Sequence, residues 1–184
     1  MIRASSLAAL PIVIALAACS DEPAPEPAAT QVVDRFEEAR IIVNANGLAA
    51  ASDKGAMVMR FGSPRAEVDA MAESAWGEAG EQSRQEECGA GAMDFTSYGP
   101  LQIAYQDDRF AGWFVREGAG VVTSDGIRTG ATLEALKTER QVREIDSTLP
   151  GEFEYTTGDF GTIRGFAEDG TITALQAGLS CFFR

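Results

Sequence analysis

The chain has 184 residues, with 15 Lys and Arg, 28 Asp and Glu, three Cys and no His. That length fits one compact domain or two small ones. Without His there is no Ser-His-Asp or Cys-His nucleophile and no His-containing metal site. A formal net charge of -13 argues against nucleic acid, whose phosphates call for Lys and Arg.

Residues 1–18 have the plan of a secretory signal. Arg3 supplies a positive start, and an apolar run from Leu7 to Ala18 follows, interrupted by Pro11. The run is too short to cross a bilayer as a mature helix. It ends in Leu16-Ala17-Ala18-Cys19, which resembles the bacterial lipobox. The resemblance implies a diacylglyceryl thioether on Cys19, cleavage before it and a third acyl chain on the freed amine. Two acyl chains already give stable anchoring. Ser20 follows Cys19, and Asp21 stands one place too late for an inner-membrane retention signal. The implied location is therefore the outer membrane, facing the periplasm. Cleavage also removes Arg3, which takes the net charge from -13 to -14.

Residues 19–30 read as a tether. Pro23, Pro25 and Pro27 alternate, which favours extended polyproline II and excludes helix. At about 3.1 Å per residue the segment holds the domain about 30 Å from the lipid.

With Cys19 acylated, Cys88 and Cys181 remain. An exported context favours a disulfide between them, and two buried thiols or a reactive Cys are the alternatives. Closing a loop of about 90 residues is worth about 4–5 kcal/mol in the chain-entropy account. No Cys-x-x-Cys occurs, which argues against a thioredoxin-like role.

Gln31 to Leu48 is ambiguous. Val32, Val33 and Phe36 suit a helix face, whereas Ile41-Ile42-Val43 suits a strand near 39–45 that ends at Asn46-Gly47. Ser63 reads as an N-cap, with Pro64 at the first helical position. Val68, Met71, Ala72, Ala75 and Trp76 then form one apolar face, so a helix is expected over about 64–76, ended by Gly77 and Gly80. Met93–Tyr98 and Leu101–Tyr105 alternate as strands, and Asp107-Asp108 suits a tight turn before a strand over Arg109–Val115. A two-residue turn pairs Tyr105 with Phe110, Ile103 with Gly112 and Leu101 with Phe114. That register places Trp113 on the opposite face, beside Gln102. Trp113 is then either a partly exposed binding anchor or is covered by the N-terminal strand or the second half of the chain.

The second half repeats this order. Gly130-Ala131-Thr132 opens a helix bearing Leu133 and Leu136, as Gly62-Ser63-Pro64 opens the first. Strands are expected at Val142–Ile145, Glu152–Tyr155, Thr162–Ala167 and Ile172–Ala177, with a hairpin turn at Asp169-Gly170. Leu179–Phe183 reads as a terminal strand. The period of about 62–68 residues suits tandem duplication of a small module rather than a solenoid. The expected fold is α+β: two helix-plus-antiparallel-meander modules, over 31–120 and 121–184, forming one domain with helices on one sheet face.

A Gly-x-[Thr/Pro] helix start followed by a meander resembles the module of SmpA/OmlA-type envelope lipoproteins. Its tandem form resembles the β-lactamase-inhibitor-protein fold. The wording Glu87-Cys88-Gly89-Ala90-Gly91, then Gly112-Trp113, then Gly178-Leu179-Ser180-Cys181-Phe182-Phe183-Arg184 is similar to a group of uncharacterised exported bacterial proteins. That group carries an aromatic two places before the C-terminal Gly, where this chain has Gln176.

Gly89-Ala90-Gly91 lacks the third glycine and the following helix of a nucleotide loop, so a turn is expected and no nucleotide or other cofactor. Glu86-Glu87, Asp107-Asp108 and Glu168-Asp169 match no calcium loop, and the last two pairs sit at hairpin tips, where acidic residues serve turn geometry and solubility. No metal site and no catalytic residue is expected. The reading is a non-catalytic, membrane-anchored periplasmic lipoprotein that binds a protein or envelope component. Its rivals are an inhibitor of a secreted or periplasmic hydrolase, with a basic partner steered by the acidic surface, and, less favoured, an enzyme. Gln102 and Trp113 are the candidate binding residues.

Overall fold

Each alternating segment from Met93 onward, up to the C-terminal run, forms a strand within one residue of its expected bounds. A computed structural model describes residues 40–53, 55–118, 120–157 and 161–181. The signal segment, the tether, Cys19, residues 31–39 and Phe182–Arg184 lie outside the described residues.

Twelve strands and two helices are present among the described residues. They run β1 (Arg40–Asn44), β2 (Gly47–Ser52), β3 (Gly55–Arg60), α1 (Arg65–Trp76), β4 (Glu81–Gln85), β5 (Met93–Tyr98), β6 (Leu101–Gln106) and β7 (Arg109–Arg116). After them come β8 (Val121–Thr123), α2 (Leu133–Glu139), β9 (Val142–Glu144), β10 (Glu152–Thr156), β11 (Thr162–Glu168) and β12 (Thr171–Gly178). The class is mostly β with two helices. A four-stranded sheet has the order β3-β2-β1-β8, with β1 and β8 parallel. An eight-stranded antiparallel sheet has the order β4-β5-β6-β7-β12-β11-β10-β9. Two four-strand meanders therefore meet where β7 pairs with β12.

One apolar core joins the layers. Ile41, Val43, Leu48 and Ala50 of the small sheet pack with Val68, Met71 and Ala72 of α1 and with Ile103, Trp113, Val115, Phe153 and Leu175 of the large sheet. Burial at about 25 cal/mol per Å² of apolar surface makes such a shared core the main stabilising contribution. Asp69 fixes α1 to the large sheet. Its Oδ1 accepts from Tyr105 OH at 2.7 Å and Tyr98 OH at 3.3 Å. Its Oδ2 accepts from Arg65 Nε at 3.2 Å, and the Arg65 guanidinium also lies 5.0 Å from the Tyr105 ring centroid.

Both helices start against a hairpin. Gly62 N–H donates to Phe110 O, Phe110 N–H to Ser63 O and Arg65 N–H to Asp108 O. In the second half Gly130 N–H donates to Ile172 O, Ile172 N–H to Ala131 O and Leu133 N–H to Gly170 O. Thr132 caps α2 by accepting from Ala135 N–H at 3.2 Å. The expected cap at Ser63 is corrected: α1 is capped at Pro64 with no side-chain bond, and its first donor, Arg65 N–H, is satisfied by the clamp to the hairpin instead. Gly77 ends α1 in the left-handed conformation, φ 81°.

The turn Asp107-Asp108 has two residues, with φ 52° and 56°, the left-handed pair of a type I′ hairpin. The register beyond it differs from the expectation. Tyr105 pairs with Phe110, but Ala104 pairs with Gly112, leaving Ala111 as a bulge. Ile103 then faces Trp113, and Leu101 faces Val115. One inserted residue thus turns Trp113 into the core, where it is 2% exposed and its Nε1 donates to Asn44 O at 2.8 Å. Trp113 is therefore no exposed anchor, and the face beside Gln102 receives Phe114 instead.

Leu179–Cys181 is not a strand. The chain turns at Gly178, φ 77°, and leaves the sheet. Leu179 N–H donates to Ala111 O, and a Cβ on Gly112 would lie 2.2 Å from Leu179 O. Gly112 is thus the position that lets the C-terminal backbone cross the sheet in contact.

Candidate binding face

The eight-stranded sheet buries one face, carrying Leu101, Ile103, Trp113, Val115, Phe153, Tyr155, Ile163 and Leu175. Side chains alternate along strands, so the intervening residues share the other face. Across that face one row runs in register through all eight strands: Glu81, Ser97, Gln102, Phe114, Gln176, Arg164, Glu154 and Arg143. Neighbours in such a row are about 4.8 Å apart.

At one end the row is an ion-pair ladder. Glu154 Oε1 accepts from Arg143 Nε at 3.0 Å and also from Arg143 Nη2. Its Oε2 accepts from Arg164 Nε at 3.4 Å. These contacts, the Arg143 hydrogen bond foremost, hold the Glu154 carboxyl below its usual range. The Arg143 and Arg164 side chains are 70% and 43% exposed, so the ladder orients groups more than it stabilises the fold.

Gln176 occupies the middle of the row. It is 3% exposed, and neither Oε1 nor Nε2 has a hydrogen-bond partner among the described residues. It lines a cavity of about 380 Å³ with Arg143, Glu154, Thr162 and Arg164. Beyond Phe114 a second cavity of about 360 Å³ is bordered by Gln102, Phe114, Arg116 and Leu179, and by Trp113 from the core side. The Arg116 guanidinium lies 5.6 Å from the Phe114 ring centroid.

The crossing C-terminal segment borders this second cavity. Cys181 is disulfide-bonded to Cys88, with Cα atoms 4.8 Å apart. Around the bridge Cys88 packs with Met93, Phe95 and Ala104, against Ala111 and Cys181. Gly91, φ 97°, turns the chain after Cys88, and its N–H donates to Cys88 O. The three sequence motifs therefore converge: Cys88 to Gly91, Gly112-Trp113 and Gly178 to Cys181 build one corner of this face.

Of the two candidate binding residues, Gln102 lies on the face, half-buried, and Trp113 lies beneath it. Phe114, Arg116, Arg143, Glu154 and Arg164 were not singled out by sequence, and Gln176 only as a departure from a motif. An amide inside the run Ile172–Ala177 is the signal in the residues themselves that marks it. The acidic pair Asp107-Asp108 forms a turn, as expected. Among the described residues no group of three His, Cys, Asp or Glu is placed to hold a metal ion. Compared with protein-family models, curated proteins and solved structures, the chain matches none.

Proposed function

We propose that the chain is an exported, lipid-anchored, non-catalytic binding protein whose open sheet face engages a protein or another envelope component. The observation that carries the reading is the Cys88–Cys181 bridge, since disulfides persist in oxidising compartments. The sequence Leu16-Ala17-Ala18-Cys19 supports anchoring through Cys19 at the outer membrane.

The same proposal takes the large sheet as two copies of one module. Several correspondences support it. The strand order is mirrored about β7 and β12. Each helix start is clamped by three corresponding backbone bonds to the last hairpin of its own meander, two to the fourth strand and one to the turn before it. Each final hairpin has a tight turn, at Asp107-Asp108 and Asp169-Gly170, followed by a bulge, at Ala111 and Thr173. On this reading Phe114 and Gln176 are equivalent positions that pair with each other at the seam.

The test has two arms. Mass spectrometry of membrane-extracted protein should find an acylated Cys19 at the N-terminus, and Cys19→Ser should accumulate as precursor. A soluble product starting elsewhere overturns the anchor. Photo-crosslinking in intact cells from position 102 should capture a partner that the same probe at Val58, 52% exposed on the other sheet, does not. Equal capture from both positions overturns the assigned face.

A further inference from the structure

We infer that the cavity over β10, β11 and β12 takes the free C-terminal end of a peptide, with its carboxylate on Arg164 and its last amide on Gln176. The inference rests on the binding role proposed above and names the ligand class for that face.

Gln176 is the starting point. A buried primary amide without partners destabilises the fold, and an apolar side chain of similar size would avoid that cost. Both of its polar atoms lack a partner among the described residues, the donor as well as the acceptor. A ligand that satisfies only one leaves the other orphaned. An extended residue presents its own N–H and C=O on one edge, so the residue before the last pairs with both ends of the amide through its N–H and through the C=O of the last peptide group.

Arg164 supplies the second contact. Its Nε reaches Glu154, and its terminal nitrogens make no hydrogen bond among the described residues. A guanidinium in this state accepts a carboxylate through two parallel bonds. Arg143 is committed to Glu154 through Nε and Nη2. Arg143 and Arg164 against Glu154 leave one net positive charge in the cavity lining, which matches one carboxylate rather than a phosphate dianion.

Spacing and size agree. Arg164 and Gln176 are registered neighbours on adjacent strands, about 4.8 Å apart. A terminal carboxylate and the amide before it are separated by one residue, about 3.5 Å, so one ligand spans both. A cavity of about 380 Å³ falls at the small end of ligand sites and suits a residue or two of peptide.

The test is an NMR titration of the disulfide-bonded protein with N-acetyl-alanyl-alanine, its C-terminal amide and acetate. The free acid should shift the Gln176 side-chain NH₂ and the Arg164 Nε–H resonances. It should bind at least tenfold more tightly than either comparison compound. Arg164→Gln and Gln176→Leu should each weaken it at least tenfold, whereas Val58→Ala, exposed on the other sheet, should leave it unchanged. Arg164 is half-exposed, so its variant folds and keeps the test decisive if Gln176→Leu does not. Equal affinity for acid and amide, binding of acetate as tight as the dipeptide, or no shift at Gln176 overturns the inference. An acylated Cys19 with no dipeptide binding removes this ligand and leaves the anchored reading intact. Dipeptide binding with an unacylated Cys19 does the reverse.

Discussion

Replacing Cys88 and Cys181 together by Ala tests how the C-terminal crossing is held. The bridge joins residues 93 positions apart. For a loop of that length the chain-entropy account assigns about 4.7 kcal/mol at 25 °C to the constraint on the unfolded state. The native-state cost of the substitution is small. Cys88 is 6% exposed among Met93, Phe95 and Ala104, and Ala removes only a sulfur from that cluster. Some entropy is recovered, because among the described residues Leu179–Cys181 is then tied to the sheet by the bond from Leu179 N–H to Ala111 O. The expected loss is about 3–5 kcal/mol from a total of about 5–15. At about 2–4 °C per kcal/mol the melting temperature falls by about 6–20 °C. The assay is urea unfolding followed by circular dichroism on oxidised wild type, reduced wild type and the double variant. The reduced protein and the double variant should agree within about 1 kcal/mol, since both lack the cross-link. A double variant within about 1 kcal/mol of oxidised wild type would refute the reasoning, because the core alone would then hold the two meanders.

Trp113→Ala should cost about 3–5 kcal/mol, because it empties a site that is 2% exposed and strands Asn44 O. Urea unfolding measures it, and a loss under about 1 kcal/mol would place Trp113 at the surface after all. The three tyrosines, Tyr98, Tyr105 and Tyr155, are buried, and desolvation foremost raises the pKa of each. Unfolded tyrosine ionises near pH 10, so this contribution to stability is complete below about pH 10 and is lost as pH rises beyond it. Absorbance near 295 nm should therefore stay flat past the ordinary tyrosine range and rise only with loss of the circular dichroism signal. A gradual rise with the fold intact would show that the phenols are in contact with solvent.

The elements that sequence shows clearly are those with one wet and one dry face. β5, β6, β7 and β10 to β12 alternate because the core lies on one side of the large sheet only. β2 and β3 carry no such signal. Ala49 and Ala50 are both buried, so small apolar residues face both ways along β2. β4 is exposed at all five positions and has no apolar stripe, yet it pairs with β5 along its full length. Helix α1 is visible through its 3.6-residue repeat, but its cap is not, because the clamp that replaces Ser63 comes from residues more than 40 positions away.

The make-up of the open sheet face is hidden from the sequence by a single residue. Pairing Tyr105 with Phe110 is right, and any register without a bulge then puts Trp113 beside Gln102. Ala111 breaks the count and inverts every later side chain of β7. Hydrophobicity cannot reveal this, since Trp113 and Phe114 are adjacent aromatics and either suits the core. The deciding contact is tertiary: Trp113 Nε1 needs an acceptor when buried, and Asn44 O of the small sheet provides it. The same inversion moves Phe114 outward to pair with Gln176, and so completes the row on which Gln102 and Arg164 also stand. A core requirement met in one sheet thus sets the chemistry presented on the opposite face of the other. The ladder of Arg143, Glu154 and Arg164 comes from three strands whose neighbours are known only once the register is fixed. Gln176 is the exception that sequence does expose, as the one amide in a strand otherwise built for burial. Its unsatisfied burial costs stability, and that cost is the ground on which the proposed ligand of this face rests.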